Sequence, residues 1–320
     1  MTMRALALLC LLTATSMSAA FAQFPSRPIT LVVPIPPGGA PDIAARVIAQ
    51  KLQENLGSPV VVENKVGANG AIATDLVAKA APDGYTLGLL ADSQITINPH
   101  LYQKMPVDTL RDLAPVSAVA ANQFVLAINP SLPPKTFPEF IEYAKHASPP
   151  LAYASGGNGS QHHLTMEMLK RRAGFEMVHV PYKGGSPATA ATVAGETAAM
   201  WAGSSNAGQI RAGKLRALAV SGAKRSLQYP DLPTIGEFYP GFANSIWLGI
   251  FAPAGVPEPV LERLRAELKR VLESPDVKAR FNSAGGLEPY VVQGAEFEEL
   301  IRRDYEKYGK VVKDVGIKLD

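Results

Sequence analysis

The stretch Ile29-Thr-Leu-Val-Val-Pro-Ile-Pro-Pro-Gly-Gly-Ala-Pro-Asp-Ile-Ala-Ala-Arg-Val constrains the fold more than any other. Ile29 to Ile35 is short, apolar and β-branched, which suits a strand buried on both faces. Gly38 and Gly39 permit a sharp turn and a close backbone approach. Pro41 fits a first helical position and Asp42 the favourable end of the helix dipole. Ile43, Val47, Leu52 and Leu56 recur at helical spacing, and Gly57 with Pro59 ends the run. A strand feeding a glycine turn and a helix N-terminus is an ordinary βα connection and also a ready anion site.

The same pattern returns along the chain. Val60 to Asn64, Tyr85 to Leu90, Leu151 to Ala154, Met177 to Pro181, Ala198 to Ala202 and Leu215 to Val220 read as strands. Helical runs at Ala71 to Ala81, Phe137 to Ala147, Gln161 to Ala173 and Pro187 to Gly195 lie between them. The alternation predicts an α/β protein with largely parallel sheets. Leu113 to Ala120, Phe124 to Ile128 and Trp247 to Pro253 are extended segments suited to crossing between two domains. Helices at about Pro257 to Leu272, Pro275 to Ala284 and Ala295 to Val315 finish the chain. The loops at the C-terminal ends of the strands read PPGG, VGANG, ADSQ, SGGNGS, YKGG and GSSN. A ligand crevice lies at that end of an open parallel sheet. Gly, Ser and Asn also make good turns, but six such loops in two sets predict a cleft between two domains.

Residues 1–22 are expected to leave the chain as a signal peptide. Arg4 precedes the apolar run Ala5 to Leu12, and Ala20-Phe21-Ala22 before Gln23 is a cleavage signature. Cys10 follows Leu9 inside that run, so lipidation is not expected. Cleavage after Ala22 leaves 298 of the 320 residues, a chain without cysteine, and a net charge reduced from +3 to +2 by the loss of Arg4. Disulfides, thiol catalysis and cysteine metal sites are thereby excluded. The charge is too small and too evenly spread to argue for nucleic acid. No later apolar run is long enough to span a bilayer.

Catalytic signatures are weak. Ser155-Gly-Gly-Asn-Gly-Ser160 lacks the spacing of a nucleophile elbow, and Ser160 reads as a helix cap. His162 and His163 are adjacent, so one should face the helix surface and the other the site; a metal pair would need a spacing of three or four. No phosphate loop and no dinucleotide fingerprint is present. Small-anion binding fits better. Asn69, Ser93, Asn158 and Ser160 supply neutral donors beside loop N–H groups. Four or five such bonds at about 1.5–3 kcal/mol each, less about 4 kcal/mol or more of lost ligand freedom, give micromolar affinity or better.

The segments FPSRPITLVVPIPPGGAPDIAAR, VVVENKVGANGAIATDLVAKAAPDGYTL, INPHLY, YASGGNGSQHHL, VPYKGG, IRAGKLRALAVSGAKRS, LPTIGEF and FAPAGVP resemble the Bug (TctC-type) receptors of tripartite tricarboxylate transporters. They span Phe24 to about Pro257, with a weaker match at the end of the chain. The resemblance implies a periplasmic-binding-protein, or flytrap, fold: two α/β domains with crossing strands that close on a small carboxylate. The expected boundaries are 24–121 plus 245–320 for a discontinuous first domain and 122–244 for the second. It carries ligand-binding roles to Pro36, Pro37, Gly38, Gly39 and Asp42 on one side. On the other it carries them to Ser155, Asn158, Gly159, Ser160, His163, Tyr182 and Gly184. Family ligands are di- and tricarboxylates, acidic amino acids and aromatic acids. Two alanines, Ala191 and Ala198, stand where related chains carry aspartate, which bears on local packing. Asp92 and Gln94 stand where Ser, Thr and His are common; they bear on ligand choice, and Asp92 would suit an ammonium group if it faced the cleft. The expected protein is a periplasmic monomer without catalysis, cofactor or metal. Its partners would be membrane transporter subunits, or alternatively a sensor-kinase ectodomain. A hydrolase using Ser160 and His163 is the remote alternative.

Overall fold

A computed structural model describes residues 24–203, 206–283 and 287–319. The expected signal peptide and the middle of the Gly203–Asn206 loop lie outside these residues. The strands sort into two sheets. The first contains β1 (Ile29–Val33), β2 (Val60–Asn64), β3 (Thr86–Ala91), β4 (Leu113–Gln123), β10 (Ser245–Pro253) and β11 (Glu288–Gln293), in the order β11-β4-β10-β3-β1-β2. The second contains β5 (Val125–Ile128), β6 (Leu151–Ser155), β7 (Met177–Pro181), β8 (Ala199–Ala202) and β9 (Arg216–Val220), in the order β7-β6-β8-β5-β9. Each sheet with its helices is here called a lobe.

Both sheets are mixed rather than largely parallel. β1 is parallel to β2 and β3, and β6 is parallel to β7 and β8. The strands next to the crossings run the other way: β10 is antiparallel to β3 and β4, and β5 to β8 and β9. A strand that enters one sheet directly from the other has no helix to turn it around, so it pairs antiparallel. The outward crossing takes one residue, from Gln123 to Val125. The return runs from Val220 to Ser245.

The helices form where the sequence supports them. Helix α1 (Ala40–Leu56) starts at Gly39 with Pro41 in its first turn. It ends at Gly57, whose φ of 68° lets its N–H reach Gln53 O. Its inner face, Ala44, Ala45, Ile48 and Leu52, packs with Leu261, Leu264 and Leu268 in one apolar cluster. Helix α2 (Ala71–Ala78) follows β2. In the second lobe, α3 (Phe137–His146), α4 (Gln161–Ala173) and α5 (Gly185–Ala194) flank the sheet over a core built on Phe137, Phe140, Tyr153 and Trp201. Ala191 is buried in α5 and Ala198 packs against that core, so both are packing positions. Three helices, α6 (Glu258–Glu273), α7 (Pro275–Ser283) and α8 (Gly294–Val315), return to the first lobe. Among the described residues no helix is long and apolar enough to cross a membrane.

Candidate functional site

The strand C-termini of both sheets carry the loops singled out in the sequence. In the first lobe, Pro36, Pro37 and Gly38 are exposed ahead of α1. The N-cap Gly39 has no side chain to satisfy the first-turn N–H groups. Asp42 is buried beneath this turn. Its carboxylate accepts from Gly38 N–H at 2.9 Å, Arg46 Nε at 3.0 Å, Arg46 Nη2 at 3.1 Å and Asn64 Nδ2 at 2.8 Å. Burial alone would raise this carboxyl, but the bonds from Arg46, Asn64 and Gly38 outweigh it and hold the group below its ordinary range. With its lone pairs so used, Asp42 builds the turn and does not present a free charge to the opening.

Gly70 begins α2, again as a glycine N-cap without a side-chain cap. Asn69 before it holds a left-handed φ of 50°. It is fixed by Asn98, which accepts from Asn69 Nδ2 at 2.7 Å and returns a bond to Asn69 O at 3.0 Å. Gln94 braces the same loop: its Oε1 accepts Ala91 N–H at 2.8 Å, and its Nε2 donates to Asn69 O and Ser93 Oγ. A Cβ on Gly70 would lie 2.6 Å from Gln94 Cγ, so glycine is required there. Asp92 is fully buried and meets Gln161 of the second lobe. It does not face open solvent.

In the second lobe the two glycine loops are zipped together by Tyr182 N–H to Ser155 O at 3.0 Å and Gly184 N–H to Gly156 O at 3.2 Å. Gly184 is a third uncapped glycine N-cap, opening α5. The Tyr182 hydroxyl donates to Glu196 at 3.4 Å. Ser160 caps α4 as expected, accepting His163 N–H at 3.3 Å. The Ser155 hydroxyl is enclosed, 2.6 Å from His179 Nε2, and accepts Gly157 N–H. His163 Nδ1 accepts Gly159 N–H at 3.1 Å, which places the ring proton on Nε2. Its ring stacks on His179 with centroids 3.7 Å apart. Burial first, and then His179, lower the His163 imidazole to about 4, so it is neutral. His162 lies against Phe124 at 4.5 Å, and burial lowers it likewise to about 4. Neither histidine is a helix-surface residue; both rings support the SGGNGS loop from within. Asn158 is exposed, and its side chain makes no hydrogen bond among the described residues.

The predicted residues therefore divide. Pro36, Pro37, Gly38, Gly39, Gly184 and Asn158 present backbone or an unspent carboxamide at the loop surfaces. Asp42, Gln94 and Ser155 spend their polar atoms inside the loops, while Asn69 commits its Nδ2 and His163 its Nδ1. Sequence reasoning missed Asn64, Asn98, Leu101 and His179, which hold these loops in place. The signal for Asn98 and Leu101 was within the INPHLY segment, and for Asn64 its place at the end of β2. The lobes touch at one end of the cleft: a Cβ on Gly159 would lie 2.5 Å from Leu101 Cδ1, and Leu164 packs with Ile97, Leu101, Tyr308 and Val312. Ser160 Oγ and the His163 ring are not hydrogen-bonded partners, so that pair forms no nucleophile and base. Among the described residues no three His, Cys, Asp or Glu side chains converge as for a metal.

Three helices thus start at glycine N-caps and leave first-turn N–H groups without a side-chain acceptor. In the second lobe, by contrast, α3 is capped by Thr136 and α4 by Ser160. Such termini favour an anion through N–H groups and dipole together.

Comparison with known proteins gives a consistent set. Residues 44–317 match the model of the tripartite tricarboxylate transporter family receptor. The chain is 37% identical to the protein BugT of Bordetella pertussis over 299 residues, covering 92% of this chain and 91% of that one. It resembles the structure of R. palustris Rpa4515 with adipate, at 32% identity and a TM-score of 0.83 over 92% of this chain and 99% of that one. It also resembles MatC (Rpa3494) from Rhodopseudomonas palustris with bound malate, at 31% identity and a TM-score of 0.76 over 90% of this chain and all of that one.

Proposed function

Because the chain belongs to the tripartite tricarboxylate transporter receptor family, we propose that it is a periplasmic receptor that captures a small dicarboxylate between its lobes for a membrane transporter. The observation that carries this reading is the set of three glycine-capped helix starts, two in the first lobe at Gly39 and Gly70 and one in the second at Gly184. Their first-turn N–H groups, free of side-chain caps, suit carboxylate oxygens at both ends of a ligand. Dicarboxylates in two related structures, adipate and malate, support that ligand class. The rims carry few free charges: Lys65 is paired with Glu63 at 3.1 Å, and Arg46 with Asp42. Neutral donors hold an anion without the deep well of a buried ion pair, which suits release to a partner. The lobes would be 24–121 plus 245–320 and 122–244, hinged at the crossings, with closure excluding water from the bound acid.

Thermal-shift screening of ligand-stripped protein against mono-, di- and tricarboxylates tests this. A ligand at a hundred times its Kd stabilises the folded form by about 2.7 kcal/mol, so the right acid gives a clear rise in Tm. No rise with any acid, malate and adipate included, would refute the assignment. Asn158→Ala should then weaken binding of the acid found by about 1.5–3 kcal/mol, the worth of a bond to a charged group, without lowering the Tm of the free protein.

A further inference from the structure

Carboxylate capture does not account for the buried acid Asp92. Asp92, at the end of β3 in the first lobe, is wholly enclosed. Its Oδ1 accepts Ser93 N–H at 2.8 Å, and its Oδ2 meets Gln161 Nε2, from the first turn of α4 in the second lobe. Among the described residues no cation is bonded to it. The charged and titratable groups facing it come from α8: Asp304, Lys307 and Tyr308. Lys307 is turned toward Asp304, at 3.2 Å, and Asp304 also accepts Trp247 Nε1 at 2.9 Å. From α4 the neutral Gln161 meets it.

The contact is tied to the crossing between the lobes. Thr165 Oγ1 donates to Gln161 O at 2.6 Å and accepts from Asn244 Nδ2 at 2.5 Å. Tyr308 donates to Asn244 Oδ1 at 2.6 Å. Asn244 immediately precedes β10, and its backbone is bonded to Ser221 at the end of β9. A continuous buried chain of polar groups therefore links the floor of the cleft to the hinge.

We propose that Asp92 and Gln161 are a proton-linked clasp between the lobes: closing buries Asp92 as the neutral acid against Gln161, and opening returns it to water as the carboxylate. An enclosed carboxylate met by one N–H and one carboxamide, with no cation, is costly to keep ionised. Burial first, and then the Asp304 charge, push this carboxyl up to about 8 in the closed form; Lys307, Gln161 and Ser93 N–H oppose the shift. The carboxamide suits either form. Its NH2 donates to a carboxylate, and turned over its carbonyl accepts from the acid.

The sign follows from linkage. The closed-form value lies above the ordinary aspartate value of about 3.9 regained on opening, so closure takes up a proton. The clasp contributes fully below the open-form value. It weakens as pH rises toward the closed-form value near 8, by a factor approaching about tenfold per pH unit, and stays weak above it. The idea rests on lobe closure as proposed above, but its readout needs no ligand, so its failure is separable from failure of the carboxylate assignment.

Small-angle scattering of the ligand-free full chain between about pH 5 and pH 9 tests it, across the window set by the two pKa values. The wild type should expand as pH rises. Asp92→Asn, a permanent mimic of the neutral acid, should keep one radius throughout. Gln161→Lys, which gives the buried carboxylate a cation, should remove the pH dependence by the opposite route and serves if Asp92→Asn fails to fold. A wild type with the same radius at both ends, or a variant that expands as the wild type does, would overturn the proposal.

Discussion

Replacing Gly159 by alanine should obstruct closure of the cleft in addition to straining the backbone. Gly159 holds a φ of 70°, where an L side chain costs about 1–2 kcal/mol. That cost applies whether the lobes are apart or together, and it cancels from the affinity. The new Cβ would also lie 2.5 Å from Leu101 Cδ1 and 3.1 Å from Cδ2, atoms that belong to the other lobe. Leu101 is 1% exposed and packed with Ile97, Leu164, Tyr308 and Val312, so it has no empty space to enter. Overpacking of this kind costs about 1–3 kcal/mol and falls on the closed form alone. At about 1.4 kcal/mol per factor of ten, affinity should fall about 5- to 150-fold. Titration calorimetry with the acid found by thermal screening measures this, and melting of the free protein measures the backbone cost separately. Placing the same substitution in a Leu101→Ala background should recover most of the lost affinity. Undiminished binding by Gly159→Ala, or an equal loss in both backgrounds, would refute contact between the lobes at this point when ligand is held.

Asp42→Asn should destabilise the first lobe by about 1–3 kcal/mol at neutral pH, since Arg46 loses its buried partner. Because the Asp42 carboxyl is held below its ordinary value, its contribution is present above the unfolded value of about 3.9 and is lost as pH falls through the folded one; denaturant titrations should therefore separate wild type from variant at neutral pH and converge at acid pH. Ser160→Ala removes the cap of α4 and should lower stability by about 1 kcal/mol in chemical denaturation, whereas a loss below a few tenths would mean that the hydroxyl is not bonded to His163 N–H in solution.

Much of this architecture can be read from residue order. Apolar runs closed by Gly and Pro mark β1, β3 and β6, and Gly57 stops α1 where its left-handed conformation requires. The crossing at Gln123 is legible because two extended, apolar segments follow one another there with no helix between them. Other features depend on long-range contacts that no local pattern encodes. β11 carries Pro289 and pairs only at the sheet edge, so Glu288–Gln293 lacks the signature of a strand. The mixed strand directions follow from where a crossing strand finds a partner. Among the site residues, glycine N-caps were visible because glycine beside a helix start has few uses. The inward turn of Ser155 and His163 was not, because it depends on His179 from a separate strand. The burial of Asp92 was hidden for the same reason: Gln161 and α8 reach it only after both lobes have formed.

The routing of the chain between the sheets also sets an order of assembly. Every strand of the second sheet comes from one unbroken run, 125–220, so that lobe can form from its own segment. The first sheet cannot, because β10 lies between β3 and β4 and reaches them only after the whole second lobe has been threaded past. Its pairing is non-local, and non-local pairing is slow. A chain cut before Ser245 would therefore leave an ordered second lobe with its opening segment unsheltered, and the surfaces that recognise an anion from the other side would never be assembled.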